Sequence, residues 1–89
     1  MIPREIRHAL HLYGAKGGKT HRRRQLRRIE EFVSWCGCSP HQIGKRHVYE
    51  FLEAKTDSPT TARDYWYAIA LLWRVLGRPG KPPKPGNVP

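Results

Sequence analysis

Arginine is the residue type whose chemistry stands out in this sequence. Five arginines follow His21, at positions 22, 23, 24, 27 and 28, and the first acids after them are Glu30 and Glu31. A helix favours acids near its start and bases near its end, so this order lowers the stability of a helix that begins there. Contact with phosphate groups explains why so many guanidinium groups gather. The alternative is a solvated face, partly neutralised by an Arg27–Glu31 pair one turn apart.

A second set of phosphate-binding side chains opens the segment SPTTARDYWYAIALLWRVL, residues 58–76. It offers the hydroxyls of Ser58, Thr60 and Thr61, the guanidinium of Arg63 and the ring of Tyr67. Hydroxyls, arginines and the free amides of a helix start hold phosphates, and arginine also reads guanine edges in the major groove. The alternative is that the hydroxyls only cap the helix and that Tyr67 belongs to the core.

One glycine-rich stretch resembles a nucleotide-binding loop without matching it. Gly14, Gly18, Lys19 and Thr20 give the pattern G-x-x-x-G-K-T, which is one residue shorter than the P-loop and follows a helical pattern instead of a strand. The glycines are therefore interpreted as a hinge.

The cysteines and nearby histidines do not have metal-site spacing. Cys36, Cys38, His41 and His47 are arranged as C-x-C and H-x5-H, whereas structural zinc sites use C-x2-C and H-x3-5-H pairs. A small buried thiol at Cys36 and solvated histidines are the favoured interpretation. No grouping of serine, histidine and carboxylate stands out either. The sequence predicts no metal, no cofactor and no enzymatic activity.

Composition points to a polyanionic partner. The 89 residues contain 17 Lys and Arg against 7 Asp and Glu, for a net charge of +10. Nucleic acid is the first expectation and an anionic membrane surface the second. The N-terminus has no signal peptide or membrane span, and two cysteines fit a reducing compartment. We expect a cytoplasmic, nucleoid-associated protein without a membrane or a small-molecule substrate.

Hydrophobic periodicity divides the chain into four helices and a tail. The predicted helices span 3–13, 20–36, 45–55 and 59–76, and a disordered tail rich in Pro and Lys spans 78–89. The last helix is apolar around most of its girth, so the other elements must cover it. We therefore expect an all-α fold, a compact four-helix bundle over residues 1–77. The face of the last helix expected to be buried is Ala62, Tyr65, Trp66, Ile69, Leu72, Trp73 and Leu76.

Helix boundaries are predicted from capping residues. Thr20 and Ser58 are the expected N-caps of the second and fourth helices, and Gly77 is the expected stop of the fourth. Ser39 and Gln42 have the spacing of a capping box within the turn before the third helix.

The order of these motifs resembles a known family. A connector ending in Thr20, a helix ending FVSWCG, the turn SPHQIGKRHVYEFL and the segment SPTTARDYWYAIALLWRVLG stand before a Pro-rich stretch. This order resembles the N-terminal core-binding (SAM-like) domain of tyrosine recombinases, the phage integrase family. The resemblance covers residues 19–76, and its most specific part is the S-x-T-T-A-R start of the last helix. The helix predicted over 3–13 fits the extra first helix of some members.

The resemblance implies half of a clamp around duplex DNA, with the second and fourth helices approaching the major groove. The residues expected to bind nucleic acid are Lys19, Thr20, His21, Arg22, Arg23, Arg24, Arg27, Arg28, Ser58, Thr60, Thr61, Arg63 and Tyr67. The sequence shows no counterpart of the family's catalytic domain, so we expect a non-catalytic double-stranded DNA-binding domain in site-specific recombination or its regulation. It is either free-standing or part of a recombinase, and a full-length recombinase is a further candidate partner. The alternative is a basic helical module that binds RNA or an acidic protein.

Overall fold

Four α-helices and one 3-10 turn form within residues 4–13, 19–55 and 58–84, the part of the chain that the computed structural model describes. The helices are α1 (Arg4–Tyr13), α2 (Lys19–Cys36), α3 (Lys45–Lys55) and α4 (Pro59–Val75), and the 3-10 turn is Pro40–Gln42. No strand forms in these residues. The all-helical prediction is confirmed, and the predicted bounds agree within one residue. The radius of gyration is 12.1 Å, about that of a compact domain of this length.

α4 is the central helix, as its apolar girth predicts. It contacts each of the other three helices and buries six side chains, namely Ala62, Trp66, Ala68, Ile69, Leu72 and Trp73. Ile6 and Leu10 of α1, Ile29, Phe32 and Val33 of α2, and Val48, Phe51 and Leu52 of α3 complete the core, with Ile43 from the preceding turn. The elements around α4 therefore each contribute a narrow apolar stripe to the core, while α4 contributes most of its own surface to it.

Phe51 of α3 holds three helices together through ring contacts. Its ring lies edge-on to Phe32 and Trp35 of α2, at centroid distances of 5.1 and 5.5 Å, and to Tyr65 of α4 at 5.4 Å. Edge-to-face pairs add stability beyond the apolar area that they bury. This cluster fixes the position of Tyr65, which matters for the charged residues beside it.

Both ends of α4 are capped as predicted. The Ser58 hydroxyl accepts a hydrogen bond from the Thr61 backbone N–H at 3.2 Å. At the other end Gly77 has a φ of +76°, which favours glycine. Its N–H donates to the Arg74 carbonyl, and the N–H of Arg78 donates to the Trp73 carbonyl. These two bonds are those of a Schellman motif, which satisfies carbonyls that the helix end leaves open.

Two other capping predictions are wrong. α2 already begins at Lys19, so Thr20 lies inside the first turn and is not the residue before it. The Ser39 side chain makes no capping hydrogen bond, because the turn closes through backbone bonds instead, with the Gln42 N–H donating to the Ser39 carbonyl. A side chain of the first turn of α3 caps the start of that helix: His47 Nδ1 accepts a hydrogen bond from the Gly44 N–H at 2.9 Å.

The segment after α4 packs against the bundle. Residues 78–84, called the strap below, run back along α4 from Trp73 to Trp66. The Trp66 indole N–H donates to the carbonyls of Pro82 and Pro83 at 3.3 and 3.1 Å, Pro82 is buried, and the Lys84 ammonium lies 4.6 Å from the centroid of the Trp66 ring. The predicted disorder of the tail is not confirmed for residues 78–84, because the apolar proline rings cover Trp66 and satisfy its N–H. Residues 85–89 of the predicted tail lie outside the described residues.

Arg78 joins the strap to the turn before α3. Its guanidinium lies over the Trp73 ring, 4.5 Å from the centroid, and donates to the carbonyls of Pro40 and His41 at 3.3 and 3.1 Å. The cation therefore stabilises an aromatic face and satisfies two carbonyls at once.

Replacement of Arg78 by Ala is expected to lower the free energy of unfolding by roughly 1 to 3 kcal/mol, because the cation–π contact and both carbonyl hydrogen bonds are lost. Urea unfolding followed by tryptophan fluorescence measures the loss. Arg74→Ala is the matched control, since Arg74 is exposed on the same end of α4 and its loss is expected to change stability by less than about 0.5 kcal/mol. Equal effects of the two variants would show that Arg78 does not anchor the strap.

Candidate nucleic-acid interface

The arginines of α2 separate onto two sides of the helix. Arg22 and Arg23 lie towards α1, where they line a cleft with His11 and Leu26. Arg28 lies towards α4, with its guanidinium carbon 5.9 Å from the centroid of the Tyr65 ring. Arg24 lies one helical turn before Arg28 and so shares its side of α2. The arginines therefore form two groups, Arg22 beside the cleft and Arg24 with Arg28 beside α4, and Arg23 and Arg27, which are also one turn apart, lie between them.

Asp64 connects the second arginine group to the start of α4. Its two carboxylate oxygens lie 4.0 Å from Arg28 Nη2 and 3.9 Å from Arg63 Nε. Both pairs are long and partly exposed, so each contributes little to stability. The pairs show instead where the two helices meet, because one carboxylate lies near guanidinium groups of both helices. The only sequence signal for this bridge is the dipeptide Arg63-Asp64, which by itself does not indicate a contact with α2.

Glu31 forms a hydrogen bond with a tyrosine of α4 and no ion pair with Arg27. The Tyr65 hydroxyl donates to Glu31 Oε2, and the Arg27–Glu31 pair of the alternative interpretation is not formed. Partial burial raises the pKa of Tyr65 above its ordinary value of 10.0, and the hydrogen bond to Glu31 adds to this. Arg27 is exposed and makes no ion pair with any described residue, which leaves its guanidinium available to an anion.

The outer face of α4 continues this group of charges. Thr60, Arg63, Tyr67 and Arg74 are all exposed and recur at the spacing of one helical face. Tyr67 is 52% exposed, so the alternative that it belongs to the core is wrong. Its ring packs edge-on against Trp66 at a centroid distance of 5.4 Å, which holds it in a fixed position on the surface.

The hydroxyls at the start of α4 have structural partners of their own. The Ser58 hydroxyl donates to Thr61 Oγ1 at 3.0 Å, in addition to accepting from the Thr61 N–H. The capping interpretation is thus confirmed for this pair, although both side chains remain exposed. Thr60 is exposed without such a bond among the described residues.

The structure brings together six of the thirteen candidate residues. We call the α2/α4 surface the set formed by Arg24, Arg27, Arg28, Thr60, Arg63 and Tyr67. Ser58 and Thr61 lie at its edge as a cap. Arg22 and Arg23 line the cleft beside α1, and Arg23 lies one turn before Arg27, at the border of this surface. Lys19, Thr20 and His21 have their backbone in the first turn of α2, and their side chains lie outside the described residues.

Cys36 and the neighbouring histidines have roles in folding. Among the described residues no group of three or more His, Cys, Asp or Glu side chains is placed to hold a metal ion. Cys36 is half-buried on the apolar stripe of α2. Burial raises the pKa of the Cys36 thiol from 9.0 to about 12, and the neighbouring Cys38 adds to this. His47 is engaged as the cap of α3.

The raised pKa predicts that Cys36 is slow to alkylate. The charged thiolate is disfavoured in the folded state, so the stability contributed by the neutral thiol is present below about pH 9 and is lost as the pH rises towards 12. In a Cys38→Ser variant, which leaves one cysteine, iodoacetamide at pH 9 is expected to react more than about tenfold slower with folded than with denatured protein. Mass spectrometry over time measures this ratio. Equal rates would place the thiol in solvent.

The comparisons with known proteins give no family. No protein-family model, no curated protein and no solved structure matches this chain. The resemblance to the integrase core-binding domain therefore stays a prediction. Within the described ranges, none of the helices has the length and apolar character needed to cross a membrane.

Proposed function

We propose that this protein is a double-stranded DNA-binding domain that contacts the phosphate backbone and the major groove with the α2/α4 surface. The observation that carries the proposal is the Asp64 bridge, which places Arg28 of α2 and Arg63 of α4 on one continuous surface. Cations from two helices on one surface can neutralise more phosphates of a duplex than those of one helix, and each neutralised phosphate adds to the affinity.

The distribution of acids supports this assignment. The ion pairs Arg7–Glu30 and Arg46–Glu50 neutralise two acids away from the α2/α4 surface. The two acids close to it are Glu31, which accepts from Tyr65, and Asp64, which is shared by two arginines. The α2/α4 surface therefore presents four arginines against these two acids, an excess of positive charge that an anionic polymer would bind.

The finer assignment rests on the sequence resemblance. We propose that the bundle is of the SAM-like, integrase core-binding type and that it acts without catalysis in site-specific recombination or its regulation. A full-length recombinase is then a second partner, and association with the nucleoid follows from DNA binding. The all-helical bundle with a central α4 supports this proposal, as does the exposure of Arg63 and Tyr67.

Removal of the Asp64 charge is expected to tighten DNA binding. In Asp64→Asn the guanidinium groups of Arg28 and Arg63 no longer share their charge with a carboxylate, so both become available to phosphates. We expect roughly two- to fivefold tighter binding of a DNA duplex at low salt. Fluorescence anisotropy of a labelled duplex measures the change, and a gain in affinity cannot result from partial unfolding.

Glu50→Gln is the control with the same change in net charge. Glu50 pairs with the exposed Arg46 on α3 at 2.8 Å, away from the α2/α4 surface, and its loss is expected to change affinity little. If both variants tighten binding equally, the overall charge governs binding and the proposed surface is wrong. If Asp64→Asn has no effect, Arg28 and Arg63 do not contact DNA.

A further inference from the structure

A cleft between α1 and α2 lies outside the α2/α4 surface. His11, Arg22, Arg23 and Leu26 line it, and its volume is about 170 Å³. Three of these four side chains are basic, and no carboxylate is among the described residues that line the cleft. Basic groups gathered without an acid repel one another unless an anion joins them. We propose that this cleft is a separate anion site that binds a phosphate group.

The fold builds the cleft by joining α1 to α2 one turn away. The Arg7 guanidinium donates to Glu30 Oε1 at 2.9 Å. His11 follows Arg7 by one turn of α1, and Leu26 precedes Glu30 by one turn of α2, so the two helices run antiparallel along this seam. The Arg7–Glu30 pair thus spans the two helices and neutralises the acid one turn from the cleft. The cleft itself keeps its positive character.

Arg22 provides the second observation that points to a ligand. Its side chain is half-buried, and its Nε is buried without a hydrogen-bond partner. A buried N–H that lacks an acceptor costs free energy, and the other buried side-chain atom left without a partner among the described residues is the acceptor Gln25 Oε1. The guanidinium of Arg22 is thus not held by the protein, and a phosphate in the cleft would bind it once the side chain turns towards the ligand, because the planar guanidinium matches the geometry of a phosphate.

The chemistry of the cleft defines a class of ligand. Arg22, Arg23 and His11 donate hydrogen bonds and carry or can gain positive charge, while Leu26 forms an apolar wall. A tetrahedral phosphate, as a monoester or a diester, offers several acceptor oxygens to such a set. A free phosphate compound and a nucleic-acid backbone share this chemistry, so the experiment must distinguish them.

Titration with inorganic phosphate tests the site without DNA. Amide NMR spectra are recorded as phosphate replaces chloride at constant ionic strength. We expect saturable shifts at His11, Arg22, Arg23 and Leu26, and about tenfold weaker phosphate binding in Arg22→Gln. Arg46→Gln is the control, because Arg46 is exposed on α3 and its loss is expected to leave phosphate binding unchanged.

Shifts that rise linearly without saturation, or an equal loss in the control variant, would overturn the proposal. His11→Ala, at an exposed position, replaces Arg22→Gln if that variant does not fold, and the same direction of change is expected. Because the titration contains no DNA, its outcome is independent of whether the α2/α4 surface binds a duplex.

A second arm identifies the source of the phosphate. The salt dependence of duplex binding is compared between the wild-type protein and Arg22→Gln. If the slope of log affinity against log salt is smaller by about 0.9 in Arg22→Gln, the cleft holds a backbone phosphate. An unchanged slope, together with the loss of inorganic phosphate binding, shows that the ligand is a free phosphate compound. Either result upholds the anion site.

Discussion

The burial of α4 is the constraint on which the rest of this structure depends. A helix that is apolar around most of its girth is stable in water only when other elements cover it. α1, α2 and α3 cover part of it, and the strap covers the side on which Trp66 and Trp73 lie. The strap suits this role because prolines present apolar rings and leave their carbonyls free to accept the Trp66 N–H. One narrow face remains exposed, and it carries Arg63 and Tyr67.

This constraint determines which charges are available for binding. Because α4 is fixed by its core contacts, Asp64 and Tyr65 are held at the boundary with α2, where they meet Arg28 and Glu31. Asp64 and Glu31, the two acids near the interface, therefore already have partners within the protein. The remaining guanidinium groups of Arg24 and Arg27 are exposed and make no ion pair within the described ranges. The packing of the core thus produces an uneven distribution of charge, which a uniform basic composition would not give.

The helices were predictable from the sequence, whereas the relations between them were not. The apolar spacing from Ala62 to Trp73, the Ser58 cap and the Gly77 stop are local signals, and the structure agrees with each of them. Which neighbour each arginine faces, α1 for Arg22 and α4 for Arg28, depends on the rotation of α2 against those helices, which has no local signal. The packing of the strap against α4 was not predicted. Its prolines indicate that the segment is extended and not helical, but they do not indicate whether it packs against the bundle.

Two local patterns in the sequence, the Arg27–Glu31 spacing and the Ser39 capping box, are not used in the structure for the same reason. A pair such as Arg27 and Glu31 at helical spacing is stabilised only slightly, so a better partner from another helix replaces it, and Tyr65 is that partner. In the same way, backbone bonds close the turn at Ser39 without help from its side chain. Local patterns are reliable where their free energy exceeds that of the tertiary contacts that compete with them.

The most direct test of the account is the binding of a short labelled DNA duplex, measured by fluorescence anisotropy over a range of salt concentrations with a structured RNA as competitor. The account predicts that DNA binds in preference to RNA. It also predicts that the logarithm of the affinity falls by about 3 to 4 per logarithmic unit of salt, as four interface arginines release their counterions. No binding to the duplex, or preferential binding of the RNA, would contradict it and assign the basic surface to another partner.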